Sequence, residues 1–178
     1  VGEGERLLAV NAAPHARTGV PALGIGLPVT GGGEVEAEEG DGGFTLDNGI
    51  LRAVITSAGQ LASLVDTVTG RDAIAPGDRG NRLQLHRDIP NEWDAWDVDE
   101  HYRRTVQEID GVEEIRLESK PEEAAVVVVR SFGASRIEQR LALAAGSPSL
   151  EITNIIDWHE RQKLLKLGFE LDVHADRS

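Results

Sequence analysis

From residue 44 onward, apolar and polar side chains alternate with a period of two, interrupted about every ten residues by glycine, proline or asparagine. That period belongs to strands with one buried face, and the interruptions to the turns between them. FTLDNGILRAVIT (44–56) carries an Asn48-Gly49 step between two apolar runs, a strong short-range hairpin signal. QLASLVDTVTGRDAI (60–74) repeats the arrangement around Thr69-Gly70, so the two stretches predict a β-meander. APGDRGN (75–81) reads as a loop and RLQLHRD (82–88) as a further alternating strand. Then come VEEIRLES, EEAAVVVVRSF, ASRIEQRLAL, PSLEITNIID and KLLKLGFELDVHA, with turns at Lys120-Pro121, Gly133 and Ala145-Gly146-Ser147-Pro148.

Two of these runs predict burial as well as conformation. Val126 to Val129 do not alternate, and a strand apolar on both faces belongs at the centre of a sheet, between layers or under a neighbouring domain. In the last run Leu165, Leu167, Phe169, Leu171 and Val173 share one face, while Lys166, Glu170, Asp172 and His174 share the other, predicting a half-buried antiparallel strand. Many strands with almost no helical period predict an all-β fold, a large antiparallel β-sandwich. The expected organisation is a loop-rich lead-in with a short strand (1–33), an acidic, glycine-rich solvated connector (34–43) and the sandwich (44–178). No internal repeat is visible.

Composition narrows the function. A net charge of −13 argues against nucleic acid, whose recognition concentrates lysine and arginine on one surface. No apolar run is long enough to cross a bilayer, so no membrane partner is expected. Without cysteine there is no disulfide and no thiolate metal site, which suits a reducing compartment; a cytoplasmic location is the expectation. The opening VGEGERLLAV has no initiator methionine, charged n-region or apolar h-region, and reads as part of a longer protein.

Candidate chemistry gathers in DIPNEWDAWDVDEHY (88–102), which places two of the three tryptophans among carboxylates. Indole faces stack on the C–H patches of sugars and carboxylates hold hydroxyl groups, but a wet interface has the same composition. If the segment is extended, Asp94 and Asp97 point to opposite faces roughly 10 Å apart, whereas a retaining glycosidase needs its carboxyl pair about 5 Å apart from different segments. Neighbours on one strand do not make that pair. Extended geometry would put Trp93, Ala95 and Asp97 on one face and Asp94, Trp96 and Val98 on the other. One indole could then be core and the other line a sugar pocket or an interface, and Pro90-Asn91 favours a loop at the sandwich edge. Trp158, between Asp157 and Glu160, sits at a hairpin end, where packing over the core or against a partner domain is the commoner role.

Other motifs fall away. DWHERQK (157–163) begins His-Glu, but Lys163 stands where a helical zinc-protease motif needs its second histidine. The five histidines are scattered, and GIGLP and GGG lack the strand and helix that flank a nucleotide loop. No metal site is expected in this chain.

NRLQLHRDIPNEWDAWDVDEHY and EITNIIDWHERQKLLKLGFELDVHA, in this order, resemble the C-terminal β domain of glycoside hydrolase family 38 α-mannosidases, most closely the bacterial and vacuolar branch. LDNGILRAVITSAGQLASLVDTVTGRDAI is similar to the meander that opens that domain, and VNAAPHARTGVPALG loosely to the segment before it. The resemblance implies a supersandwich of the galactose-mutarotase-like kind within a bigger β region. It further implies a zinc-dependent retaining α-mannosidase whose catalytic residues and zinc ligands lie upstream, in an α/β domain this chain lacks. The chain alone is then inactive and without cofactor, truncated at both ends, with unpaired sheet edges that offer a route to homo-oligomers. Its partners would be that catalytic domain and, through the parent, mannose-containing glycans. The resemblance makes Trp93, Asp94, Trp96 and Asp97, flanked by Arg87 and Asp88, a wall of the substrate pocket. Asp157, Trp158, His159 and Glu160 become the residues of domain packing. A free-standing carbohydrate-binding module and a purely structural docking domain are the alternative readings.

Overall fold

The turns that sequence marks most strongly close where local chemistry requires them. The computed structural model describes residues 9–10, 12, 20, 22–26, 33–92 and 96–173. Its strands are β1 (Ala9–Val10), β2 (Ile25–Gly26), β3 (Glu36–Gly40), β4 (Gly43–Asp47), β5 (Leu51–Thr56), β6 (Leu61–Asp66) and β7 (Arg82–Arg87). After a 3-10 turn at Glu100–Arg104 come β8 (Gln107–Glu108), β9 (Glu114–Lys120), β10 (Glu123–Phe132), β11 (Ser135–Ala144), β12 (Leu150–Asp157) and β13 (Lys163–Gly168). Among the described residues there is no α-helix. At the β4–β5 turn the Asn48 side-chain oxygen accepts from the Ile50 and Leu51 amides at 3.0 and 2.8 Å. Its Nδ2 donates to the Ala144 and Ser147 carbonyls, so this turn is stapled to the β11–β12 turn.

All named strand pairs are antiparallel, in the orders β3-β4-β5-β6, β13-β7-β8 and β12-β11-β10-β9, with β1 and β2 as a separate short ribbon. The sheet built from β9 to β12 forms one layer of the sandwich, and the other two sheets share its inner face. Phe44, Leu46, Ala53 and Ile55 meet Val126, Val128, Leu141 and Leu143 in one core cluster. Leu83, Leu85 and Ile109 meet Phe132 and Ile137 in a second, with Leu165 and Leu167 against it. Strand β10 is buried on both faces, as the valine run predicts: Ala124 to Val129 are at most 2% exposed. Each fully buried valine contributes about 1.5–3 kcal/mol. On the outer face Arg116 and Arg140 stand opposite Val127. They are tied to Glu114, Glu118 and Glu123 by ion pairs of 2.5 to 3.4 Å, so charged side chains roof the apolar strand.

Between the two core clusters lies a buried polar seam. Arg130, 1% exposed, donates to Gln139 Oε1 at 2.6 Å and to the Ala58 carbonyl; Gln139 donates in turn to Asn81 and Asn154. Burial pulls the Arg130 guanidinium below its ordinary value, and the charge of Asp110 opposes that shift. A Cβ on Gly59, already at φ +69°, would strike both Arg130 and Val128, so only glycine fits there.

Three expectations need correction. Residues 34–43, expected as a solvated connector, hold the edge strand β3 and its turn. Glu36 and Glu38 pair with Asp47 and Thr45, while Val35 is buried and Ala37 packs on the core. Five acids and three glycines hid a two-residue apolar alternation, and the acids suit an edge that must not pair further. The last strand stops at Gly168. The chain then turns to bond Ala73, Ala75 and Arg79, leaving Phe169, Leu171 and Val173 exposed rather than sharing the buried face of Leu165 and Leu167. Residues 96–104 are a turn and a 3-10 segment, not an extended strand end. The short strand predicted in the lead-in is described at Ala9–Val10, and His174 lies outside the described residues.

Candidate functional site

Antiparallel pairing of β7 with β13 sets Arg87 opposite Lys163, and the Asp88 amide donates to the Gln162 carbonyl at 2.9 Å. The loop that follows β7 and the loop that precedes β13 therefore emerge at the same end of the sandwich. The β10–β11 turn at Gly133-Ala134 joins them there, because Glu160 Oε1 accepts from the Ala134 amide at 2.8 Å and from Ser135 Oγ at 3.1 Å. Ser135 Oγ accepts from the His159 amide at 2.8 Å. Gly133 has φ +58°, and a Cβ there would run into the Glu160 carboxylate. A glycine, a serine and a glutamate distant in sequence thus close one clamp.

The residues of DWHE divide by role. Trp158 leans on the buried ring of Phe132, centroids 6.0 Å apart, and keeps 38% of its surface exposed. Asp157 accepts an ion pair from His159 Nε2 at 2.9 Å when that ring is protonated, and both are exposed. Ile155 and Ile156, at the end of β12, are exposed too, so this corner shows apolar surface on an edge strand paired on one side, with β11.

The loop from Asp88 to Arg104 is built differently. Its base is closed by the Arg87 amide donating to Thr105 Oγ1 at 3.0 Å, and the Asn91 amide donates to Asp99 Oδ2 at 2.8 Å across it. Trp96 is 91% exposed; Asp97, Glu92 and Arg87 are exposed as well, and Asp88 is half-buried. Trp93 and Asp94 lie outside the described residues. Beside the loop is a groove of about 280 Å³ lined by Arg87, Ile89, His101 and Thr105. A second, of about 400 Å³, is lined by Glu100, His101, Arg103 and Arg104. Carboxylates, guanidinium groups, an imidazole and a bare indole on an open surface can stack and hydrogen-bond a polar ligand. Among the described residues of the loop no nucleophile is held against a base.

A larger cleft of about 600 Å³ opens at the opposite end, between Leu51, Leu64, Arg71 and Leu150 among others. The polar groups there are already engaged: the Asp66 carboxylate accepts from the Val68 and Thr69 amides, and Arg71 donates to the Asp172 carbonyl. Among the described residues no group of three His, Cys, Asp or Glu side chains is placed to hold a metal ion. No described helix is long and apolar enough to cross a membrane.

Sequence reading missed Tyr102, the only tyrosine in the chain, although it closes the acidic stretch. Its hydroxyl accepts from Lys166 Nζ at 2.8 Å, and its ring meets His86 edge-on at 5.2 Å. Hydrogen bonding from Lys166 and then Arg103 draws its phenol below the ordinary value of 10.0. The clamp serine, Ser135, was also missed. Scarcity could have flagged the tyrosine; nothing local marks the serine.

A family model described as "Glycosyl hydrolases family 38 C-terminal domain" matches residues 46–178. The chain is similar to Alpha-mannosidase 2C1 of Homo sapiens, 35% identical over 144 residues, covering 79% of this chain and 14% of that protein. The Mus musculus counterpart is 34% identical over the same lengths. Alpha-mannosidase G of Dictyostelium discoideum is 27% identical over 157 residues, covering 84% of this chain and 14% of that protein. The chain thus spans about one seventh of the length of these relatives.

Proposed function

Because the chain belongs to the glycosyl hydrolases family 38 C-terminal domain family, we propose that it is the non-catalytic β domain of a longer zinc-dependent, retaining α-mannosidase, closing part of the substrate pocket. The observation that carries this reading is the convergence of both tryptophan loops at one end of the sandwich, with the Trp96 indole bare in an acidic segment. In that role the indole stacks on the C–H face of a mannoside, Asp97 and Asp88 accept from its hydroxyls, and Arg87 donates to them. The proposed wall extends to Trp93 and Asp94, which lie outside the described residues. The described residues do not fit zinc, so the metal and the carboxylates of hydrolysis are assigned to the rest of the polypeptide.

Packing against the catalytic domain is assigned to the other loop, through the exposed part of Trp158 with Ile155 and Ile156. The β12 edge is also where two copies would pair. Crystals of the full-length enzyme soaked with a mannoside test the reading. Residues 88–102 within about 4 Å of the sugar support it, and the same residues far from the sugar overturn the pocket-wall role. An exposed indole also suits a free-standing sugar-binding module. Titrating this chain with mannobiose while following tryptophan fluorescence separates the two: a saturable shift favours the module and a flat response the domain fragment.

A further inference from the structure

Among the described residues of the Asp88–Arg104 loop none is buried, the 3-10 segment included. A loop without burial is held by polar contacts or drifts among many conformations. The contacts converge on Tyr102. Its carbonyl accepts from the Thr105 amide at 3.0 Å, from Thr105 Oγ1 at 2.8 Å and from His86 Nδ1 at 3.2 Å. A carbonyl can only accept, so Nδ1 of His86 carries the proton. His86 itself is buried on β7, which fixes the donor. At the other end of the side chain, Lys166 on β13 donates to the hydroxyl and lies 4.8 Å from the ring centroid. One residue is therefore gripped by β7 and β13, the two strands whose loops form the candidate site.

We propose that Tyr102 is the positioning residue of the pocket wall: pinned to His86 and Lys166, it sets where the preceding loop presents Trp96 to the substrate. The inference rests on the pocket-wall reading and adds to it what orients the wall. Tyr102 touches no substrate in this account and acts through the loop. The pin also links the two distant tryptophan motifs, because Lys166 belongs to the strand that DWHE introduces.

The test uses the full-length enzyme, with hydrogen exchange across the loop and steady-state kinetics on an aryl α-mannoside. Tyr102→Ala should speed exchange of the loop amides about tenfold while β10 and β11 amides keep their rates. It should raise KM about tenfold with kcat nearly unchanged, and Tyr102→Phe, which keeps the ring, should recover most of both. Lys166→Met should match Tyr102→Phe, giving a milder second variant if Tyr102→Ala does not fold. Loop exchange unchanged in all three variants overturns the proposal whatever the kinetics. KM that responds to Trp96→Ala and not to Tyr102→Ala also overturns it. Faster exchange with KM unmoved by both Tyr102→Ala and Trp96→Ala leaves Tyr102 as the pin of the loop and overturns the pocket-wall reading.

Discussion

Two loops at one end of this sandwich have nearly the same ingredients, tryptophan beside aspartate and glutamate, and opposite fates. In 157–160 the glutamate accepts two hydrogen bonds from a neighbouring hairpin and the indole rests on a core phenylalanine. In 88–104 the described indole is 91% exposed, and the described residues are tied at the base of the loop, across one bond and through Tyr102. Composition alone does not separate a clamp from a presented surface. What separates them is whether another element comes within hydrogen-bonding reach, as the β10–β11 turn does for Glu160. The first loop commits its glutamate to the fold, and the second leaves most of its described polar groups exposed.

The contrast can be broken by substitution, beginning behind the clamp. Arg130→Ala removes a guanidinium on which Gln139 and the Ala58 carbonyl depend and opens a cavity at the seam. It should cost about 3 kcal/mol or more in urea unfolding. Glu160→Ala leaves the Ala134 amide and Ser135 hydroxyl without their acceptor and should cost about 2 kcal/mol in the same measurement. Trp158→Ala, which loses a half-covered contact with Phe132, should cost about 1–2 kcal/mol.

Acid adds a smaller, graded effect in the fixed body of the sandwich. Burial raises the Asp72 pKa, but the Ser63 hydroxyl and the amides of Leu64, Ile74 and Ala73 together outweigh it and hold the group below its ordinary 3.8. A depressed carboxyl contributes stability that is complete above the unfolded value and fades as pH falls through the folded one. The Asp72→Asn variant and the parent chain should therefore converge in stability below about pH 3.8 and differ above it, followed by unfolding at several pH values. Convergence at neutral pH would remove Asp72 from the account.

Much of the body was legible because its signals are local. Asn48-Gly49, Gly133 and Ala145 to Pro148 mark turns within a few residues of the strands they join, and the uninterrupted valines announce a central strand. Strand β3 was hidden because Ala37 and the preceding Val35 are the only apolar marks among acids. The stop at Gly168 depends on Ala73 and Arg79, far upstream. At the site, local signals named the tryptophans and carboxylates but not what holds them. Glu160 finds Ser135, and Tyr102 finds His86 and Lys166, only after β7 has paired with β13 and β11 with β12. Long-range register has no signature in a single chain of residues, so the holders were missed while the displayed groups were seen.

The most direct test replaces each described indole in turn in the full-length enzyme. Trp96→Ala should leave the unfolding free energy within about 0.5 kcal/mol of the parent. It should also raise KM for a mannoside about tenfold, while Trp158→Ala lowers stability with KM unchanged. A Trp96→Ala enzyme with unaltered KM, or one as destabilised as Trp158→Ala, would contradict the claim that the 88–104 loop is displayed for substrate.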